Sequence, residues 1–177
     1  RPEAGSCCIM STWYNLLNEG EEFSARWYGQ RLETEAVSLG LHDCKVDHSL
    51  NGRELHEEGA GAEWYFAKRH NIYPNTQLDG PNHIDFTMPN GITVDVKSTA
   101  RIDGNLLVPL HFNVNNSADA FALVRGTFKK GWEYVGWITA EEFFKKAKIE
   151  KKREDLKETW SLHAGLLRRE LVWKPNL

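Results

Sequence analysis

Between residues 84 and 97 the apolar side chains recur at every second position, and no other stretch constrains the fold as tightly. Ile84, Phe86 and Met88 alternate with Asp85 and Thr87; after Pro89-Asn90-Gly91, the residues Ile92, Val94 and Val96 alternate with Thr93, Asp95 and Lys97. Successive side chains on a strand point to opposite faces, and Pro-Asn-Gly is turn chemistry. The pattern therefore predicts a hairpin with one apolar and one polar face. Its polar face carries Asp85, Asp95 and Lys97. Two carboxylates on paired strands destabilise a sheet unless a cation lies between them, so this face demands an explanation.

The stretches before the hairpin read as helical. Over residues 12–40, Phe23, Trp27, Thr34, Val37 and Leu41 recur at spacings of about three, four and seven, with Gly40 suited to the C-terminal end. Cys44 to His48 alternates weakly, and Asn51-Gly52 marks a turn. A second helix is expected from about Arg53 to Arg69, with Asn51 as a cap. It holds Gly59-Ala60-Gly61-Ala62 directly before Glu63. Two glycines inside a helix cost about 1 kcal/mol each relative to alanine, so close approach to a sheet is expected there.

After the hairpin, Leu106-Leu107-Val108, Ala120-Phe121-Ala122-Leu123-Val124 and Tyr134-Val135-Gly136-Trp137-Ile138 read as strands, the second apolar enough to be central. Thr139-Ala140-Glu141-Glu142 fits a capping box that opens a helix, continuing into the charged stretch Lys145–Lys157. The order describes an α/β or α+β domain with a mixed central sheet. One domain is expected over 1–177, with a core at 54–142, an N-terminal helical extension at 12–52 and a C-terminal helical segment at 139–177.

Composition restricts the class without naming a function. At 177 residues the chain can bury a core without staples. No apolar run approaches the roughly 18 residues needed to span a bilayer, so no membrane partner is expected. Arg1 to Ser6 does not lead into a signal peptide's apolar region, and the opening without Met suggests a trimmed end; the expected compartment is the cytoplasm. The three cysteines Cys7, Cys8 and Cys44 suit a reducing environment better than a disulfide framework. A net charge of −3 supplies no global basic field.

The hairpin's polar face carries the chemistry. Mg2+ prefers a few carboxylate oxygens and retains several waters, which two aspartates and a backbone carbonyl can satisfy. Lys97, two residues after Asp95, shares its face and can orient or help deprotonate an attacking water and stabilise charge on a phosphate. Glu63 on the preceding helix is a further ligand. The reaction these groups suit is in-line hydrolysis of a phosphodiester by metal-activated water.

Asp85, nine intervening residues, and then Asp95-Val96-Lys97 resembles the core motif of the PD-(D/E)XK nuclease superfamily: an acidic residue on one strand followed by D/E-x-K on the next. The resemblance takes in the Gly-Ala-Gly-Ala-Glu63 helix, the strand after Asp119 and the Tyr134–Ile138 segment, roughly residues 54–142, and is nearest to small phage and bacterial members. Ile84 stands where the motif's name has proline. The resemblance implies a restriction-endonuclease-like fold, a mixed sheet of four to five strands flanked by helices, with Mg2+ or Mn2+ in the cleft and DNA as partner. It assigns Asp85, Asp95 and the Val96 carbonyl as metal ligands, Glu63 as auxiliary ligand and Lys97 as the water-positioning group. A resolvase-like member would work as a homodimer.

Other candidates carry weaker signals. Thr99 and Arg101 follow Lys97 at strand spacing and are candidate phosphate contacts, as are Lys145 and Lys146 in a run of six basic residues that includes Lys148, Lys151, Lys152 and Arg153. Interspersed acids dilute that run, and a solvated helix face explains it equally. His83 and His111 lie near the expected cleft. The spacing of His42, Cys44, His48 and His56 matches no common zinc pattern. The competing reading is a nuclease-fold protein that binds DNA without cutting it, or an accessory subunit of a larger nuclease.

Overall fold

Asn18 starts the first helix. Its side chain accepts from the Glu21 N–H at 2.9 Å while its own N–H donates to the Glu21 carboxylate at 2.7 Å, a reciprocal capping box. The computed structural model describes residues 16–40, 52–76, 84–151 and 158–169. Helix α1 spans Glu19–Ser38 and ends at Leu39 and a left-handed Gly40 (φ 65°), as the glycine suggested. Helix α2 spans Gly52–His70. The expected Asn51 cap, the Cys44–His48 alternation, His83, Lys152, Arg153 and all of the zinc candidates except His56 lie outside the described residues.

The two helices meet through a face that the spacing did not single out. Phe23, Trp27 and Val37 are 72%, 50% and 68% exposed, whereas Ala25, Tyr28 and Gly29 are buried and Leu32 is partly buried. The stripe 25, 28, 29, 32 wins because Gly29 lets the backbones touch: a Cβ there would lie 2.6 Å from the Glu57 Cα. Around this crossing Glu57 accepts from Arg26, Gln30 and Arg53, each at 3.0 Å.

Strands β1 (Phe86–Thr87), β2 (Thr93–Thr99), β4 (Ala120–Thr127) and β5 (Gly131–Thr139) form a four-stranded mixed sheet in that order. Phe86 pairs with Val94 and Thr87 with Thr93 in antiparallel register. Gly91, at φ 84°, turns the chain between them as the Pro-Asn-Gly signal predicted. β2 runs parallel to the central β4, and β5 returns antiparallel to β4. The remaining strands do not extend this sheet. β3 (Leu106–Pro109), β7 (Thr159–Leu162) and β6 (Lys148–Glu150) make a separate antiparallel sheet in the order β3-β7-β6.

Among the described residues of the expected helical segment 139–177, α-helix is confined to α3 (Ala140–Lys146), capped by Thr139, with a short 3-10 turn at Ala164–Leu166. Lys148, Ile149 and Glu150 are all exposed, so no apolar alternation announced β6; its pairing with β7 does.

β4 serves two cores. Ala122 and Val124 face α1 and α2, joining Phe66, Phe86, Val94, Val96 and Trp132. Phe121 and Leu123 face the other way, against Leu106, Val108, Phe143 and Leu162. On α2, a Cβ at Gly61 would lie 2.6 Å from Trp132 and 2.7 Å from Phe128, so this glycine permits the expected close approach to the sheet. Gly59 faces open space and has no such reason.

Candidate active site

β1 is only two residues long, so among the described residues the outer edge of β2 beyond Val94 has no strand partner on that side. An uncovered edge leaves backbone groups to satisfy. Asp85, one residue before β1, fills the gap: its Oδ2 accepts from the Val96 N–H at 2.6 Å. A strand residue's N–H and C=O point to the same edge, so the Val96 carbonyl faces this side too. The register that pairs Phe86 with Val94 puts Asp85 opposite Asp95. Asp95 is 4% exposed, and its Oδ2 accepts from Lys97 Nζ at 2.7 Å. On the hairpin's polar face Asp95 is thus buried, while Asp85 and Lys97 are half-buried at the edge of the sheet.

Glu63 enters from α2. Together with Asp85, Asp95, Val96 and Lys97 it lines a cleft of about 220 Å³, closed by Tyr28 and Leu32 of α1 and by Phe112. The structure therefore brings all four sequence-predicted residues to one place. Burial raises the Glu63 pKa to about 8, helped by the charge of Asp95 and opposed by Lys97. Burial also pushes the Asp85 carboxyl well above the usual range, with Glu63 and Asp95 adding to it and Lys97 and the Val96 N–H opposing. For Lys97 burial is the largest effect and lowers the pKa. The charges of Asp95 and Asp85, the hydrogen bond to Asp95 and the charge of Glu63 together outweigh it, so its pKa is raised.

Lys97 is therefore an ammonium at neutral pH: it donates hydrogen bonds and stabilises negative charge, and a role as general base is disfavoured. Three carboxylates facing one ammonium leave the ionised cleft with an excess of negative charge. A phosphate would be repelled until a cation entered. The donor set is all oxygen, the chemistry a hard divalent ion prefers. Among the described residues, no three His, Cys, Asp or Glu side chains stand in a ready-made metal cage. One oxygen each of Asp85 and Asp95 is engaged within the protein, leaving the second oxygen of each, the Glu63 carboxylate and the Val96 carbonyl as donors.

The secondary candidates fall elsewhere. Thr99 accepts from the Arg101 N–H at 3.3 Å, and the Arg101 side chain pairs with Asp103 at 3.2 Å; neither residue lines the cleft. Lys145 pairs with Glu141 and Lys146 with Glu142 on α3, again away from the cleft lining. His111 is exposed and stacks on Phe112 with ring centroids 4.3 Å apart. No residue pattern singled out Tyr28, Leu32 or Phe112 as cleft walls; the first two belong to the α1 stripe that Gly29 selects, and Phe112 lies in a loop without periodicity.

No family model matches this chain, and no curated protein or solved structure matches it. No helix among the described residues is long and apolar enough to cross a membrane.

Proposed function

We propose that this protein is a metal-dependent DNA nuclease of the PD-(D/E)XK type with a restriction-endonuclease-like fold. The observation that carries the reading is the meeting of Glu63, Asp85, Asp95 and Lys97 in one cleft beside the edge of β2. DNA as substrate follows from the sequence resemblance. Asp85 and Asp95, with the Val96 carbonyl and with Glu63 as auxiliary, would hold Mg2+, for which Mn2+ would substitute. Bound there, the ion supplies Lewis acidity toward a phosphate oxygen and lowers the pKa of a water.

The protein's own groups then have distinct tasks. Lys97 orients the attacking water and donates to the non-bridging phosphate oxygen on which charge builds. Asp95, ion-paired to Lys97, fixes that ammonium in the cleft. Asp85, tied to the Val96 N–H, keeps the strand edge and its carbonyl in register with the carboxylates. The water oxygen forms the new bond to phosphorus and its proton leaves to solvent, while the opposite bond to a sugar oxygen breaks and that oxygen takes a proton from solvent to leave as a hydroxyl.

A catalytically silent nuclease-fold protein or accessory subunit is the alternative, favoured by the engagement of one oxygen each of Asp85 and Asp95 within the protein. Labelled single-stranded, duplex, nicked and four-way DNAs incubated with Mg2+, Mn2+, Ca2+ or EDTA separate the two. Cleavage should require Mg2+ or Mn2+. Asp85→Ala and Asp95→Ala should each abolish cleavage and weaken metal binding. Lys97→Ala should lower cleavage by about 10²-fold or more while metal binding persists. Cleavage by Lys97→Ala at the wild-type rate would sink the mechanism.

A further inference from the structure

Beyond the cleft, across Tyr28, lies a second and larger cavity of about 550 Å³, and Tyr28 lines both. The adjacent α2 residues divide between them: Glu63 lines the cleft and Trp64 lines the groove. The groove is rich in rings. Phe23 and Trp27 of α1 and Tyr73 after α2 border it at 72%, 50% and 87% exposure, and Tyr28 and Trp64 form its floor with ring centroids 5.4 Å apart. The Arg31 guanidinium lies 4.9 Å from the Trp27 ring centroid. On the cleft's other side Phe112 stands 5.8 Å from Lys97 Nζ, with His111 stacked on it.

Exposed aromatic side chains on the border of a groove beside the cleft match the way single strands are gripped: each base offers a π-face to a ring, irrespective of sequence. A duplex hides those faces in its own stack. The groove's charge does not favour the alternative of backbone tracking, because its Lys68 is already paired with Glu21 at 2.7 Å.

We infer that the groove bordered by Phe23, Trp27 and Tyr73 binds single-stranded DNA by base stacking and delivers the strand over Tyr28 to the cleft. The inference rests on the nuclease reading for what happens in the cleft, and its binding step is measured without cleavage. Fluorescein-labelled oligothymidylate is titrated with the protein in Ca2+, which supplies a cation to the cleft without cleavage, followed by polarisation, with an unlabelled blunt duplex of equal length as competitor. The strand should bind more tightly than the duplex. Trp27→Ala and Tyr73→Ala should each weaken it about tenfold, and both side chains are exposed enough that circular dichroism should be unchanged.

Strand affinity unaltered in both variants, or a preference for the duplex, overturns the inference even if cleavage proceeds. A dimer that Trp27→Ala converts to monomer with strand affinity intact also overturns it, since the face is then a contact between copies. Ring-dependent strand binding with no cleavage under Mg2+ or Mn2+ upholds the groove and sinks the nuclease reading instead.

Discussion

Glu63 bears an electrostatic cost that the metal-free protein can relieve only by protonation. A carboxylate whose folded pKa exceeds its unfolded value contributes full stability below the unfolded pKa, near 4.5, and that contribution is lost as pH rises through about 8. In EDTA the melting temperature should therefore fall between about pH 5 and about pH 8.5. Glu63→Gln should flatten that fall and raise Tm near pH 8 by roughly 5 °C. An unchanged slope in this variant would assign the dependence to other groups. Mg2+ should raise Tm more at pH 8 than at pH 6, because an ion that binds only the folded state stabilises it by mass action and the carboxylates are then ionised. Asp95→Ala should lose that increment.

At the scale of elements, two glycines test how the helices are seated. Gly29 on α1 has the Glu57 backbone where its Cβ would be, and backbone cannot swing aside. Gly29→Ala should cost about 1–3 kcal/mol and separate α1 from α2, withdrawing Tyr28 and Leu32 from the cleft wall. Gly59 on α2 has nothing within 4 Å, so Gly59→Ala should stabilise by about 0.5–1 kcal/mol through helix propensity alone. Urea melts of the two variants should move in opposite directions. A gain in both would show that α1 is not held against α2 at Gly29.

For the whole molecule the central strand β4 joins the two cores, because neighbouring residues on it point to opposite faces. Phe121 is fully buried on the face toward α3 and β7. Phe121→Ala should cost about 3–5 kcal/mol. The loss should appear as one earlier transition, coincident by far-ultraviolet dichroism and tryptophan fluorescence. Two separated transitions would mean that the three-stranded sheet melts independently of α1, α2 and the mixed sheet.

Local periodicity made the hairpin, its turn at Gly91, the central β4 and helix α2 readable without coordinates. Asp95 and Lys97 were readable because their alternation with Val94 and Val96 assigns them to one face of β2, and Asp85 because it alternates with Ile84 and Phe86 on the other arm of the hairpin. Period could not say which face of α1 is buried, since Phe23, Trp27 and Val37 match a helical stripe as well as Ala25, Tyr28, Gly29 and Leu32 do. Backbone approach at Gly29 decides it, and that is a property of two helices together. Nor could it find β6, whose three exposed residues become a strand only by hydrogen bonding to β7. The sequence by itself determined which chemical groups stand on the β2 edge, because strand geometry is local. Only the tertiary structure decided that Glu63 joins them and that Tyr28 and Phe112 wall the cleft, because those meetings depend on how separate elements pack.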